Sequence, residues 1–366
     1  MSDKRSRDPN KRRDRRKNES TGRPFLQAPI ILDRRERPSD NTVQEVSTKQ
    51  EELSTTISSS SSAIPFMRKP NKFNSETILK IIQVILLLAL SENKVSENRL
   101  FYLILHKIQN TQTFSTQPND EFLFQGHKTD GIDMYITPER AILLDTEPLS
   151  CWTVLDQVLR TGTVNGLPPD QWLEMETIYN IIFMFSICNV VLIVNDGPDI
   201  DMDLLQLVQR AEMLKFCIPD FPLLAREQQD MHYYPDIVFV CNKCTSSEFT
   251  FKNYRDLQII LQSFFDKSQL KTRGLVNLGD VLPSFQYQGG NLFFLSDIQD
   301  GDVNIESFPV LMSALRDQVL ATPRKSGRKG QVSEKDWYRN AVKTFENIRK
   351  SEYINEYLQV VRKLRD

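Results

Sequence analysis

The chain has 366 residues, 46 Lys and Arg against 48 Asp and Glu, and a pI near 6.1. That length holds about two domains, or one large domain with unstructured additions, and the charge balance excludes a nucleic-acid binder that works through its overall electrostatics. Five cysteines without a secretion signal point to a reducing compartment. The apolar run Ile78 to Leu90, interrupted by Lys80 and Gln83, is too short for a bilayer span, so a soluble protein without a membrane partner is expected.

Residues 1–70 are poor in aromatics and rich in Arg, Lys, Ser, Thr and Pro, with a serine run at Ser58 to Ser62. Such a composition predicts a disordered tail. Its cluster KRRDRRK, Lys11 to Lys17, reads as a nuclear address, as a contact for RNA or an acidic partner, or as a solvated charge run. Within the tail, FLQAPIIL (Phe25 to Leu32) is an apolar island that suits partner docking or is a chance cluster.

The fold is expected to begin near Ser75. Lys80 to Leu88 reads as a buried strand, although its leucine content also allows a helix. Ser96 to Ile108 reads as a helix with Ser96 as its N-cap. Strand, loop at 89–95 and helix form the usual start of a nucleotide-binding unit. Aligned on Ser96, the loop stands where a Gly-x4-Gly-Lys-Ser phosphate loop would, with Ala89 and Lys94 at the glycine positions and Val95 at the lysine position. The glycines matter because backbone N–H groups must wrap phosphates in conformations that side chains resist. Ser91, Glu92, Asn93, Lys94, Val95 and Ser96 are therefore candidate contacts in a loop that keeps only the motif's serine. Glu92 brings an unfavourable charge, and Lys94 can reach a phosphate as a flexible point charge.

Residues 131–137 and 140–145 are predicted to pair as a β-hairpin around Thr137-Pro138-Glu139-Arg140. The second run, AILLD, is apolar enough for a strand buried on both faces, and its end, Asp145-Thr146-Glu147-Pro148, lies where α/β sheets place ligand chemistry. A threonine and Gly-Ile-Asp before one strand, then Asp-Thr-x-Pro after the next, resembles the second and third signature regions of a G domain. That resemblance implies magnesium held through Thr129 and Asp145, together with Ser96. The third signature usually reads Asp-x-x-Gly; Pro148 replaces its glycine and offers no N–H to a γ-phosphate.

Beyond the hairpin, helices are expected over 150–159, 173–187, 203–216, 249–265 and 305–320. Strands are expected over 189–195, 236–241 and 291–295, with NVVLIVN the clearest parallel-strand signal. A loop with Pro219, Pro222 and Pro235 precedes the second of these strands. DIVFVC runs directly into Asn242-Lys243-Cys244-Thr245. In the G-domain pattern Asn-Lys-x-Asp, asparagine reads the purine, lysine packs under the base and aspartate accepts the guanine N–H groups. Asn242 and Lys243 match; Thr245 stands at the aspartate position, and a hydroxyl without charge does not support strict guanine selectivity. Ser296 ends the last strand, where a G domain carries its final base-contacting loop. A basic linker at 323–332 then leads to a helical segment, 333–366, capped at Ser333 and bearing Trp337, Phe345 and Tyr353. That segment suits either docking to another surface or folding back.

Cys241 and Cys244 form a C-x2-C with no second pair, so inert thiols are favoured over zinc. His106 falls among apolar residues of an expected helix and reads as a core or boundary histidine, His127 precedes Thr129 and reads either as a neighbour of a bound phosphate or as a loop histidine without a role, and no Ser-His-Asp order or pair of catalytic carboxylates is present.

Taken in order, HKTDGIDMYITPERAILLDTEP, CNVVLIVND, AEMLK, YYPDIVFVCNK and KDWYRNAVKTFENIRKS resemble the family of the ninth SMG protein of nonsense-mediated mRNA decay, over about residues 78–366. The resemblance implies a G-domain heterodimer with the eighth SMG protein, attachment to the SMG kinase, and an indirect link to the decay helicase that this kinase phosphorylates. It also implies a purine nucleotide (GDP/GTP or ADP/ATP) with magnesium, the alternative being that the glycine-free loop has lost the ligand and the chain carries none, and a cytoplasmic location to which the basic tail adds a nuclear option. The expected fold class is α/β: a G-domain-like, P-loop NTPase-type mixed sheet flanked by helices over 75–322, with the tail and the C-terminal helical extension outside it. Degenerate motifs favour a regulatory or scaffolding subunit without catalysis. An active GTPase or ATPase switch is the alternative, and RNA binding by the tail stays open.

Overall fold

The computed structural model describes residues 64–68, 72–73, 86–91, 129, 131–137, 141–161, 167–216, 218, 233–297, 305–322 and 334–365. The described strands are β1 (Ile64–Arg68), β2 (Lys72–Phe73), β3 (Leu86–Ser91), β4 (Ile132–Ile136), β5 (Ile142–Thr146), β6 (Val190–Asp196), β7 (Asp236–Cys244) and β8 (Leu292–Ser296). They form one sheet in the order β2-β1-β4-β5-β3-β6-β7-β8. β5, β3, β6, β7 and β8 run parallel; β4 pairs antiparallel with β5, and β1 continues antiparallel beyond it. From β4 to β8, one antiparallel edge hairpin strand followed by five parallel strands, the first of them in the middle, is the strand order of a G domain. The expected fold class is therefore present.

Helices α1 (Trp152–Thr161), α2 (Pro169–Ile187), α3 (Met202–Lys215), α4 (Phe251–Phe264), α5 (Phe308–Leu320), α6 (Glu334–Lys350) and α7 (Glu352–Arg365) follow the chain order. Local chemistry explains their starts. Pro169 occupies the first turn of α2, where a missing N–H costs nothing, so the helix begins before the expected Leu173. The Asp201 carboxylate accepts the Asp203 N–H at 2.8 Å to open α3, and the Thr250 hydroxyl accepts the Asn253 N–H at 3.3 Å to open α4, as expected near that residue. Ser307 and Pro309 delay α5 to Phe308 rather than Ile305.

Several boundaries differ from expectation. Ile64–Arg68, expected in the disordered tail, is a strand paired between β2 and β4 whose Phe66 is fully buried, so the fold starts before Ser75. β3 runs through Ser91, which puts Ala89 inside the sheet opposite Asp145 and Leu192 instead of in a loop. β7 continues past Cys241 through Asn242 and Lys243 to Cys244, with an irregularity against β8 between the two cysteines. The helix expected over 96–108, the linker 323–332, Ser333 and the tail before Ile64 lie outside the described residues.

The C-terminal segment is two helices, and it folds back. Trp337, Tyr338 and Phe345 of α6 are buried against Phe66 of β1, Phe73 of β2 and Phe183 of α2. Ring centroids lie 5.2 to 5.9 Å apart in tilted and edge-on pairs, geometry that adds to area burial. Arg349 of α6 pairs with Glu176 of α2 at 2.6 Å and lies over the Tyr179 ring, whose hydroxyl donates to Asn355 of α7 at 3.2 Å. These contacts explain why IPFMR is a strand: its burial comes from a helix at the other end of the chain.

Candidate functional site

Because β3, β5, β6, β7 and β8 are parallel, their carboxyl ends share one edge, the position where open α/β sheets bind ligands. That edge brings together Ser91, Asp145, Asn242, Lys243 and Ser296 from the sequence expectation. Register links them: Ser91 lies opposite Val194, Asp196 opposite Asn242, and Cys244 opposite Ser296. Glu92, Asn93, Lys94, Val95 and Ser96 lie outside the described residues, directly after β3.

At the end of β5, the Thr129 hydroxyl donates to Asp145 Oδ2 at 2.9 Å, and both residues are buried. Burial pushes the Asp145 carboxyl up to about 7; the Thr129 hydroxyl opposes the shift and the nearby Asp133 carboxylate adds to it. The turn beside it is fixed by the Glu147 N–H to the Gly131 carbonyl at 2.8 Å, with the Gly131 N–H returned to Glu147 Oε2 at 3.2 Å. Gly131 has φ +87°, and a Cβ there would stand 2.5 Å from the Met67 carbonyl oxygen, so only glycine lets β4 start against β1. Pro148 follows, with no amide to donate.

At the ends of β6 and β7, Asn195 Nδ2 donates to the carbonyls of Gly197 at 2.7 Å and Asp199 at 3.3 Å, while the Gly197 N–H donates to the Asn242 carbonyl at 2.6 Å. These bonds set the turn leaving β6. Lys243 sits at φ +54°, uncommon for a side-chain-bearing residue, and its Nζ donates to Asp196 Oδ2 at 2.9 Å. Asn195 Oδ1, Asp196 Oδ1 and Asn242 Oδ1 are buried acceptors with no donor among the described residues. The Ser296 hydroxyl donates to the Glu306 carbonyl at 3.4 Å. Thr245 is exposed; its amide and hydroxyl both donate to Glu248 Oε2 at 2.9 Å.

Sequence reasoning assigned no role to Asp196 or Glu248. Asp196 becomes visible only when parallel pairing sets it beside Asn242. Glu248 carried a signal, Thr-x-x-Glu ahead of a helix, the spacing of a capping box. Cys241 and Cys244 are buried; burial holds the Cys241 thiol at about 12 and pushes Cys244 up as well, so neither is poised as a thiolate. Among the described residues no group of three or more His, Cys, Asp or Glu gathers to hold a metal ion, and no helix is long and apolar enough to cross a membrane.

No protein-family profile matches the chain. Curated relatives do. The nonsense-mediated mRNA decay factor SMG9 of Xenopus laevis is 27% identical over 292 residues, covering 69% of this chain and 56% of that protein. SMG9 of Salmo salar is 28% identical over 268 residues (63% and 52%), and SMG9 of Xenopus tropicalis 26% over 292 residues (69% and 56%). The chain spans about half the length of these relatives, and the resemblance read from the sequence is borne out by them. Among solved structures, the elongation factor SelB of Methanococcus maripaludis with a GTP analogue is 12% identical at TM-score 0.32, covering 67% of this chain and 36% of that one. A septin GTPase domain of Chlamydomonas reinhardtii is 10% identical at TM-score 0.30, covering 77% and 98%. The fold assignment rests on the strand order described above.

Proposed function

We propose that this chain is a G-domain-like regulatory subunit acting in nonsense-mediated mRNA decay, which pairs with the eighth SMG protein and modulates the SMG kinase, and through it the decay helicase. The observation that carries this reading is the set of relatives that all bear the SMG9 decay-factor name. The G-domain strand order supplies the architecture for a paired G-domain assembly.

A purine nucleotide is the ligand this edge is suited to hold, with Asn242 and Lys243 at the base and Ser91 and Glu92 to Ser96 toward the phosphates. The unpartnered acceptors Asp196 Oδ1 and Asn242 Oδ1 fit a ligand that donates hydrogen bonds. A buried Asp145 carboxylate with one hydroxyl donor fits a nearby cation, so Thr129 and Asp145, with Ser96, are the residues that would hold magnesium. Bound magnesium would neutralise phosphate charge. Hydrolysis is not part of the proposal: Pro148 removes the amide that would sense a γ-phosphate, and no residue here is assigned to orient an attacking water.

The test is assembly. Co-expressed with the eighth SMG protein and stripped of nucleotide by phosphatase treatment, the chain should still elute as a heterodimer and retain the kinase. A complex that forms only on adding nucleotide would overturn the scaffold reading, and turnover of GTP or ATP that an Asp145→Ala variant abolishes would overturn the non-catalytic one.

A further inference from the structure

α7 carries more apolar surface than its seat on α2 uses. Ile354 is fully buried and Leu358 packs against the same core, beside the Asn355 contact to Tyr179 of α2. Further round the helix, Tyr353, Tyr357, Val360 and Leu364 recur at spacings of four, three and four residues, which sets them in a single row. Tyr357 is half-buried against the core, whereas Tyr353 (49%), Val360 (54%) and Leu364 (80%) stay open. The spacing is that of coiled-coil core positions: d at Tyr353, a at Tyr357, d at Val360 and a at Leu364. Such a row needs a facing helix, and the exposure of three of its four members shows that no described element covers it.

The charges along the row say which helix fits. Glu356 and Lys363 occupy the g positions, on the solvent side of the row, and neither has an ion-pair or hydrogen-bond partner among the described residues. Turned by a two-fold axis across its middle, the row meets itself head to tail. Tyr353 then faces Leu364 of the second copy, Tyr357 faces Val360 of the second copy, and each Glu356 comes beside the other copy's Lys363. The row is complementary to itself, the condition a two-fold interface must meet. In a parallel pair the g positions meet the e positions, here Ile354 and Val361, and both charges stay unpaired.

We infer that α7 pairs antiparallel with α7 of a second copy of this chain, through the row from Tyr353 to Leu364 and with Glu356–Lys363 pairs along one side. The surface beside the row fits this arrangement. Tyr353 shares a cleft of about 430 Å3 with Met213 of α3, Phe216 just after it and Phe264 of α4, and Met213 and Phe216 are each about half exposed. Leu364, the most exposed large apolar side chain among the described residues, comes to the mouth of that cleft on the other copy. Three turns of helix, about 18 Å long, cover less than the roughly 800 Å2 per partner of a standard interface, so the cleft supplies needed area and the dimer is a weak one.

Sedimentation velocity of the full chain between about 1 and 100 µM tests the pairing, with a monomer–dimer equilibrium in the micromolar range expected. Val360→Glu sets an unpaired charge in the middle of the row and should weaken dimerisation at least about tenfold, with the unfolding temperature unchanged because the position is exposed. Glu356→Lys and Lys363→Glu alone should each weaken it a few-fold by setting like charges side by side, and the two together should restore it. A chain that stays monomeric throughout would overturn the inference, as would a dimer indifferent to Val360→Glu or a charge swap that fails to restore pairing. A monomeric chain whose Val360→Glu variant no longer joins the eighth SMG protein would overturn it too, by assigning the row to a partner of different sequence.

Discussion

Lys243 Nζ meets Asp196 Oδ2 at 2.9 Å across the ends of β7 and β6, and the lysine reaches it from a left-handed backbone at φ +54°. Both side chains are about one-third exposed, so the pair contributes little to stability, under about 1 kcal/mol after solvent screening. Its effect is to fix the lysine. Asp196→Ala should leave the urea midpoint almost unchanged and weaken nucleotide binding several-fold. A loss of more than about 2 kcal/mol in the denaturation curve would show that the pair holds the fold instead.

Asp145 makes stability depend on pH. Its folded carboxyl titrates near 7, whereas an unfolded aspartate titrates near its ordinary value of about 3.9. Between those values the folded chain keeps a proton that the unfolded chain has released, so unfolding free energy falls as pH rises. The contribution is complete below about pH 4 and declines toward pH 7, by an amount on the order of 4 kcal/mol. Urea denaturation between pH 4.5 and 8 should show this slope, and Asp145→Asn should flatten it. An identical slope in the variant would assign the effect to other groups.

Gly131→Ala should be among the costly single substitutions. Strain at φ +87° and a Cβ 2.5 Å from the Met67 carbonyl act together, for a loss of about 2 kcal/mol or more. Gly274, at φ +86° with open space around it, provides the control: alanine there meets the same strain with no clash and should cost less.

The C-terminal helices belong to the core. Phe345→Ala removes a ring packed on Phe73 and Phe183 and should destabilise by about 3–5 kcal/mol. Ending the chain at Thr322 should expose Phe66, Phe73 and Phe183 together and give an aggregating product. A soluble, cooperatively unfolding truncation would show that α6 is an appendage.

β6 and β7 were legible because VVLIVN and DIVFVC are apolar without alternation, the mark of strands covered on both faces. The β4–β5 hairpin was legible from its turn chemistry, and register then placed Asp145 at the edge beside Thr129. IPFMR was not, because its burial depends on Trp337 and Tyr338, and no local pattern encodes contacts from so far along the chain. The Asn242-Lys243 pair was read as loop because motif spacing says nothing about where pairing with β8 stops. Asp196 escaped for a related reason, since its relation to Lys243 exists only across neighbouring strands.

The most direct measurement is calorimetric titration of the purified chain, alone and with the eighth SMG protein, using GDP, GTP, ADP and ATP with magnesium. Saturable binding is expected, weakened at least about tenfold by Asn242→Ala, the loss that follows when a buried hydrogen-bonding group is left unpaired. No heat from any nucleotide in either state would contradict it, leaving a G-domain fold kept for its protein contacts alone.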